Sequence, residues 1–243
     1  METPLNFFRA TYVINLDKRT DRWTSIQHQL TTYGFPSVQR VSACRPDISH
    51  ITTDNYANFH YGSDRWESFE GYLRGAVGCL QSHIKVLETA IQAELDNYLV
   101  FEDDTILEAN SHSLLGNALK TLQQQPDWDM FYLGGRHRSR RKPVTVSENL
   151  LRIRCTYQTH AYAVNRPFYT ILLHALNQCK AEIDHFYAEK IHPKHRVFCC
   201  HPAVAIQSDS QSDITQQQPL SEKNSTRQPW LKKLVRLIRN RTR

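Results

Sequence analysis

Residues 10–41 read ATYVINLDKRTDRWTSIQHQLTTYGFPSVQRV, and this stretch decides the fold. Its first seven residues are a short apolar run rich in β-branched side chains, which is typical of a buried strand. Residues 17–30 carry apolar side chains at helical spacing, with Asp17 or Thr20 as the candidate cap, and residues 38–41 favour a second strand. A strand, a helix and a strand at this spacing form a βαβ unit, which places parallel strands in one sheet.

The rest of the chain continues this alternation and favours an α/β fold with one mixed, mainly parallel sheet flanked by helices. Helical periodicity is strongest over residues 75–93, and residues 98–101 (YLVF) have the character of a fully buried strand. The pattern predicts further strands over residues 130–133, 150–155, 160–164 and 197–206, and further helices over residues 111–124, 167–179 and 230–240.

The composition of the 243 residues is that of an ordinary globular protein, with 40% hydrophobic and 22% charged residues. The formal net charge is +6, but six basic residues lie within the last dozen positions, so the body is closer to balance and nucleic-acid binding is not expected. No apolar run is long enough to span a bilayer, and the first residues do not resemble a secretion signal. Six scattered cysteines then indicate reduced thiols in a cytoplasmic protein.

Three consecutive carboxylates, Glu102, Asp103 and Asp104, directly follow the predicted strand over residues 98–101. In open α/β sheets, ligands bind just beyond the carboxyl ends of the strands. Three negative charges this close raise each other's pKa unless a cation neutralises them, and Mg²⁺ or Mn²⁺ prefers such oxygen ligands. The alternative interpretation is a solvated acidic turn that caps a helix after Asp104.

Five segments spread over residues 12–214 place this acidic run in a wider pattern. They are residues 12–22 (YVINLDKRTDR), 75–83 (GAVGCLQSH), 99–104 (LVFEDD), 159–162 (THAY) and 207–214 (QSDSQSDI). In this combination and order they resemble glycosyltransferase family 25, which includes bacterial lipooligosaccharide galactosyltransferases and collagen hydroxylysine galactosyltransferases. The resemblance implies a GT-A-like nucleotide-sugar-binding fold, a divalent metal at the acidic run, and sugar transfer with inversion at the anomeric carbon.

The resemblance also suggests residues for the donor site. At the end of the first strand, Asn15 and Asp17 are candidates to hold the nucleotide, and Arg19, together with Arg22, offers forked donors to phosphate. A capped helix start with exposed charges is the alternative there. We expect Glu102 and Asp104 to bind the metal, Mn²⁺ or Mg²⁺, while Asp103 either contacts the donor or orients its neighbours.

The segment over residues 75–83 suggests a second part of the donor site. Gly75 is predicted at a helix start, where the backbone can approach a diphosphate closely. Ser82 and His83 lie one to two turns further on, and a purely structural role for His83 is as well supported by the sequence as a binding role. His160 is likewise either a donor or acceptor contact or a core residue, and Gly134 with Gly135 leaves room for a sugar.

An inverting transfer needs a base that takes the proton of the attacking acceptor hydroxyl. Asp184 is the first candidate because it follows a predicted helix and precedes a late strand. Asp213 is the second, and it can instead help to hold the metal or the diphosphate. Glu182 and Asp209 are lesser candidates, and each of these carboxylates can also be an ordinary surface group.

The chain is predicted to comprise a catalytic domain over residues 1–214, a polar linker over residues 215–228 and a basic amphipathic helix over residues 229–243. Such a helix is typical of attachment to an anionic membrane surface or of docking to a partner, or it packs on the domain. The predicted function is transfer of a hexose from a UDP-sugar to a glycan such as lipopolysaccharide or lipooligosaccharide, and galactose is the first candidate for the hexose. Glycosylation of a protein side chain and a catalytically inactive binding module are the alternatives. The predicted location is the cytoplasm, with peripheral attachment to the inner face of a membrane.

Overall fold

A computed structural model of the chain describes residues 4–51, 69–125, 127–138 and 141–208. The predicted linker and C-terminal helix, together with the candidate residues Asp209 and Asp213, lie outside these ranges. The described helices are α1 (Thr20–Thr32), α2 (Phe69–Gln92), α3 (Ser111–Leu122), α4 (Tyr169–Asn177) and α5 (Ile183–Phe186), which continues as a π-helical turn over Tyr187–Ile191. Short 3-10 turns occur at Pro4–Phe7, Ile48–His50 and Arg166–Phe168.

The strands divide into one large sheet and two small ones. The large sheet contains β1 (Thr11–Asn15), β2 (Val38–Ser42), β3 (Asn97–Glu102), β5 (Met130–Tyr132), β7 (Val144–Ser147), β8 (Leu150–Ile153), β10 (Ala161–Asn165) and β11 (Val197–Cys200). The small sheets pair β4 (Thr105–Leu107) with β12 (Ala205–Gln207), and β6 (Arg136–His137) with β9 (Thr156–Tyr157).

The large sheet confirms the predicted fold class. Its strand order is β2-β1-β3-β10-β5-β11-β8-β7, and only β10 and β8 run against the other six strands. The predicted βαβ unit is present, since β1 and β2 are parallel and α1 connects them. β3 lies parallel to β1 on its other side, with Ile14 opposite Glu102. The carboxyl ends of β1 and β3 therefore meet at one edge of the sheet.

Both faces of the six inner strands are buried, as is usual for parallel strands covered by helices, whereas the edge strands β2 and β7 are largely exposed. Side chains alternate along β1, so that Tyr12 and Ile14 enter one core layer and Val13 enters the other. The first layer includes residues of α2 and α4, and the second includes residues of α1 and α3. The sheet edge with the acidic run is thus held between two packed helical layers.

Two local predictions were wrong, and one alternative interpretation is excluded. Neither Asp17 nor Thr20 caps α1: the capping position is Arg19, without a side-chain hydrogen bond, because Asp17 bonds Ser42 instead. Gly75 is not at a helix start, since α2 already begins at Phe69. The acidic run does not cap a helix either, because β4 follows it at once and α3 begins only at Ser111.

No helix in the described ranges combines the length and the apolar character needed to cross a membrane.

Candidate active site

A cleft opens where the carboxyl ends of β1 and β3 meet the middle of α2. Its empty space, counted out to open solvent at the mouth, is about 820 Å³. Its walls bring together seven of the residues singled out from the sequence: Arg22, Gly75, Ser82, His83, Glu102, Asp103 and Asp104. Three arginines, Arg22, Arg45 and Arg74, line the same space. The cleft therefore presents carboxylates and guanidinium groups to a single ligand volume.

Glu102 is the last residue of β3 and is held from two sides. Its Oε1 accepts a hydrogen bond from the Thr159 hydroxyl at 2.7 Å and lies 3.2 Å from His83 Nε2. Its backbone N–H donates to the carbonyl of His160 at 2.8 Å, which extends the ladder of β3 and β10. Burial raises the pKa of the Glu102 carboxyl, but the contacts with His83 and Thr159 outweigh it and lower the pKa below its usual value. Glu102 is thus held as a carboxylate.

Asp104 has the opposite character. Burial, followed by the nearby charge of Glu102, raises the pKa of the Asp104 carboxyl to about 7. Its Oδ2 accepts a hydrogen bond from Gln207 Nε2 at 3.0 Å. Its Oδ1 is buried and accepts no hydrogen bond from any residue in the described ranges. A buried carboxylate oxygen without a partner is costly, so this atom calls for a proton or a cation.

Asp103 turns away from its two neighbours. Its Oδ2 accepts a hydrogen bond from Asn15 Nδ2 at 2.6 Å, and its Oδ1 pairs with Arg22 Nη1 at 3.1 Å. Asn15 is buried and also donates to the carbonyl of Arg19 and accepts from Arg40 Nε. Asn15 therefore joins the end of β1 to the end of β3 and positions the acidic run through its hydrogen bond to Asp103.

His83 extends the site into the core. The ring is fully buried, and its Nδ1 lies 2.8 Å from the Tyr162 hydroxyl, which in turn lies 3.2 Å from the Tyr187 hydroxyl. Since Glu102 is a carboxylate, the ring donates from Nε2 to Glu102, and its Nδ1 shares a hydrogen bond with the Tyr162 hydroxyl. A continuous hydrogen-bonded chain thus runs from the cleft to the π-helical turn after α5.

Ser82 fixes the wall of the cleft rather than presenting a free hydroxyl. Its Oγ donates to the carbonyl of Gly78 at 2.6 Å and accepts from the backbone N–H of Cys44 at 2.8 Å. Gly78 permits this arrangement, because a Cβ there would overlap the carbonyl oxygen of Cys44. The two contacts hold the loop after β2 against α2, and this loop supplies Arg45 to the cleft.

Asp184 lies near the cleft but is not among the residues that line it. Its Oδ1 accepts the backbone N–H of His185 at 2.7 Å, and its Oδ2 accepts that of Gln158 at 3.4 Å. Burial raises the pKa of Asp184, and the charge of Glu102 raises it further, while His185 and the backbone contacts lower it. The other lesser candidate inside the described ranges, Glu182, accepts a hydrogen bond from the Tyr72 hydroxyl.

Several other predicted contacts lie outside the cleft lining. Asp17 is exposed and bonds Ser42, and Arg19 forms a forked pair with Asp21. His160 is a core residue, since its Nε2 bonds the carbonyl of Ala205 at 3.1 Å. The prediction of room for a sugar at Gly134 was wrong, because the Ala205 carbonyl occupies the place of a Cβ there.

Two residues of the site escaped the sequence analysis. Gln207 ends β12, and only the pairing of β12 with β4 brings it to Asp104. Cys79 lines the cleft one helical turn before His83, and the ligand atoms of Cys79, His83 and Glu102 all lie within 4.8 Å of one another. The spacing of Cys79 and His83 at i and i+4 on one helix is the sequence signal for this pair.

Two residues of the acidic run, Glu102 and Asp104, could hold a divalent cation. The buried, unpartnered Oδ1 of Asp104 and the ionised Glu102 offer hard oxygen ligands, and their mutual repulsion is relieved by a positive ion. Asp103 does not join them, since Asn15 and Arg22 hold its two oxygens.

Comparison with known proteins agrees with this geometry. The family model for glycosyltransferase family 25 (LPS biosynthesis protein) matches residues 8–187, which is most of the chain. The chain belongs to glycosyltransferase family 25. The match includes every described residue of the cleft wall except Gln207. The mainly parallel sheet flanked by helices agrees with the GT-A-like architecture that the resemblance implies.

Two relatives show how far the likeness extends within family 25. Procollagen galactosyltransferase 2 of Homo sapiens is 27% identical over 164 residues, which are 65% of this chain and 26% of that protein. A protein of Bos taurus, described as a probable inactive glycosyltransferase 25 family member 3, is 28% identical over 95 residues, or 38% of this chain and 16% of its own length. The chain thus spans about a quarter or less of these relatives.

Among solved structures, the family 25 chain is similar to a glycosyltransferase involved in the glycosylation of the major capsid of PBCV-1. The identity is 10% and the TM-score 0.45, and the likeness covers 85% of this chain and 95% of the other.

Proposed function

We propose that this family 25 domain transfers a hexose from a UDP-sugar to a hydroxyl of a glycan acceptor such as lipopolysaccharide or lipooligosaccharide. Galactose is the first candidate for the hexose. The observation that carries the proposal is Asp104: its buried Oδ1 has no partner in the described ranges, and it lines the cleft beside Glu102. Family membership supplies the reaction class, and the cleft supplies a place for it.

Glu102 and Asp104 are the residues that would hold Mn²⁺ or Mg²⁺. Such an ion, when bound, offsets the negative charge that develops on the leaving diphosphate. Gln207 orients the Asp104 carboxylate through its amide, and Thr159 with His83 orients Glu102. These contacts restrict the side-chain rotamers before the donor arrives, which is how a preorganised site lowers the cost of binding.

The arginines of the cleft wall suit the donor diphosphate. Arg22, Arg45 and Arg74 line the cleft, and guanidinium groups bind phosphate oxygens through two parallel hydrogen bonds. Arg22 already pairs with Asp103, and Arg74 Nε donates to the carbonyl of Pro46, so both are held at the wall by the protein. Gly75 also lies at this wall, but inside α2, so it does not offer helix-start N–H groups to the diphosphate.

Asp184 remains our first candidate for the base that takes the acceptor proton. Its carboxylate is held by backbone N–H groups, and its raised pKa brings it closer to the range in which a carboxylate accepts a proton at neutral pH. Asp213 is the second candidate, by its place in the family segment over residues 207–214. In this assignment Asp184 acts on the acceptor, whereas Glu102 and Asp104 act on the donor.

A donor-binding experiment tests the proposal. We expect UDP-galactose to bind in the presence of Mn²⁺ and to lose at least about tenfold in affinity on Asp104→Asn, measured by isothermal titration calorimetry. The matched control is Asp96→Asn, which removes an exposed carboxylate just before the opposite end of β3. Donor binding that is indifferent both to Mn²⁺ and to Asp104→Asn would contradict the metal-dependent mechanism.

A protein acceptor is the second candidate, because one relative is a procollagen galactosyltransferase. A screen that offers glycan acceptors and hydroxylysine peptides with UDP-galactose separates the two. Transfer to the peptide alone would show that the acceptor is a protein, and transfer to the glycan alone would support the glycan acceptor of the first proposal. Metal-dependent donor binding without transfer to either would favour a binding module, as the probable inactive relative suggests for its own case.

A further inference from the structure

Cys79, His83 and Glu102 form a cluster of potential metal ligands on one side of the cleft. Their ligand atoms, Sγ, an imidazole nitrogen and a carboxylate oxygen, all lie within 4.8 Å of one another. Cys79 and His83 are four residues apart on α2 and so project from the same face of the helix. Glu102 reaches them from the end of β3. A rigid helix and a buried strand therefore supply the three groups.

The distances are close to those of a tetrahedral site. For Zn²⁺, ligand bonds of about 2.0–2.2 Å to nitrogen and oxygen place these two atoms about 3.3 Å apart. His83 Nε2 and Glu102 Oε1 are 3.2 Å apart without any ion. A Zn–S bond of about 2.3 Å in a tetrahedral site places the sulfur about 3.5 Å from the other two ligand atoms. In the structure the Cys79 sulfur lies within 4.8 Å of both.

The outer contacts of the cluster are those that a metal site needs. Ligating histidines usually bond a partner through the other ring nitrogen, and His83 Nδ1 lies 2.8 Å from the Tyr162 hydroxyl. Glu102 is held by the Thr159 hydroxyl at 2.7 Å. Burial, and then the negative charges of Glu102, Asp184 and Asp104, raise the pKa of the Cys79 thiol, and a cation bound at this place offsets the repulsion from those charges.

We propose that Cys79, His83 and Glu102 form a second metal site that binds Zn²⁺, with its fourth position open to the cleft. Sulfur and imidazole ligands favour zinc over magnesium and manganese, which prefer oxygen ligands. Binding displaces the thiol proton of Cys79 to solvent and moves the ring proton of His83 to Nδ1, where it bonds Tyr162. One proton therefore leaves for each ion that binds.

The shared ligand gives this site a consequence for catalysis. Glu102 belongs both to the zinc cluster and to the pair with Asp104 that we assign to Mn²⁺ or Mg²⁺. Zinc that takes Glu102 weakens the other site, so it acts as an inhibitor that competes with Mn²⁺. This consequence rests on the proposed function, whereas the zinc site itself does not.

The zinc site is tested without nucleotide sugar. The untagged full chain, stripped with chelator, is titrated with Co²⁺ as a spectroscopic substitute for Zn²⁺ and, separately, with Zn²⁺ in a chelator competition. We expect one equivalent of Co²⁺ to give the near-ultraviolet charge-transfer absorption of a thiolate ligand. We expect Cys79→Ser and His83→Ala each to abolish that absorption and to weaken Zn²⁺ binding about a hundredfold, since even loss of an outer-shell partner costs 10–100-fold.

The matched control is Cys44→Ser, because Cys44 also lines the cleft but lies outside the cluster. It retains wild-type Zn²⁺ affinity and the absorption. If Cys79→Ser unfolds, two other measurements replace it. The first is the same titration on Cys79→Ala, and the second asks whether Zn²⁺ protects Cys79 of the wild-type chain from a thiol-alkylating reagent. Alkylation of Cys79 at the same rate with and without Zn²⁺, or a Co²⁺ complex without thiolate absorption, overturns the site. Asp104→Asn keeps Zn²⁺ binding while losing Mn²⁺-dependent donor binding, so the failure of either proposal is recognised separately.

Discussion

The Nε2 atom of His83 lies 3.2 Å from Oε1 of Glu102, at the point where the cleft meets the core. This contact joins a carboxylate at a strand end to a ring that is fully buried in α2. On the far side of the ring, Tyr162 continues the chain to Tyr187. The orientation of Glu102 is therefore controlled by hydroxyl groups that no ligand in the cleft can touch.

We expect Tyr162→Phe to lower the free energy of unfolding by about 1–3 kcal/mol, because it leaves His83 Nδ1 buried without a partner. Urea denaturation measures the change. Tyr169→Phe is the control: the Tyr169 hydroxyl is buried and has no hydrogen-bond partner in the part of the chain that the structure describes, so its removal is neutral or stabilising. Equal losses in the two variants would show that the contact with His83 contributes nothing.

Asn15→Asp tests the link between β1 and the acidic run. The substitution keeps the shape of the side chain but sets a carboxylate oxygen against Asp103 Oδ2 and the Arg19 carbonyl, to which Asn15 now donates. We expect a loss of about 3 kcal/mol in the free energy of unfolding at neutral pH. Asp17→Asn, two positions away on a side chain that is 71% exposed, is expected to cost less than about 1 kcal/mol. An Asn15→Asp protein as stable as the wild type would contradict the positioning role.

His192 predicts a loss of stability in acid. Burial, aided by the charge of His137, lowers the pKa of His192 to about 3, and the backbone N–H of Thr156 and the Tyr132 hydroxyl bond its neutral ring. Below about pH 6.5 the unfolded chain takes up a proton that the folded one refuses, so stability falls as the pH falls. We expect this residue to account for about 2–3 kcal/mol between about pH 7 and pH 4.5.

The measurement for His192 is urea denaturation across that pH range in the wild type and in His192→Gln. The variant is less stable at neutral pH but has a flatter pH profile. His174→Gln, on the exposed surface of α4, keeps the wild-type profile. A wild-type slope in His192→Gln would assign the acid sensitivity to other groups.

The basic C-terminal residues are expected to bind anionic membrane surfaces. Each basic residue near such a surface contributes about 1 kcal/mol, and Lys232, Lys233 and Arg236 are the first of six in the last dozen positions. Sedimentation with vesicles of anionic and of zwitterionic lipid measures the effect. Removal of residues 229–243 abolishes binding to anionic vesicles and leaves UDP-galactose binding unchanged. Binding that persists after the deletion would place the contact elsewhere.

Local sequence patterns predicted the parts of the fold that are built from neighbouring residues. The apolar run of β1, the helix α1 and the strand β2 follow one another within 32 residues, and each has its own periodicity. The pairing of β4 with β12 joins Thr105–Leu107 to Ala205–Gln207, and three-residue strands this far apart carry no local signal. The start of α2 was misplaced because Gly71 and polar side chains interrupt the helical pattern before Gly75.

Part of the candidate site was likewise predicted from the sequence, and part of it was not. The acidic run was visible because carboxylates rarely follow a buried strand three in a row, and the structure places all three at the cleft. Their different environments were not visible: Asn15 and Arg22 occupy Asp103, whereas Asp104 keeps an unpartnered oxygen. Hydrogen bonds from residues about 80 to 100 positions away decide which carboxylate is available, and a single sequence does not encode those distances legibly.

Gly134 has a bearing on how this site can vary among related chains. The carbonyl of Ala205 fills the space of its missing Cβ, and the strand that begins at Ala205 delivers Gln207 to Asp104. A methyl group at position 134 displaces that strand as a unit, and the amide moves with it. In any relative built on the same sheet, a larger residue at this position predicts that the Gln–Asp contact has been lost or replaced. The residue at position 134 would then indicate, from the sequence alone, whether the Asp104 carboxylate keeps its contact with Gln207.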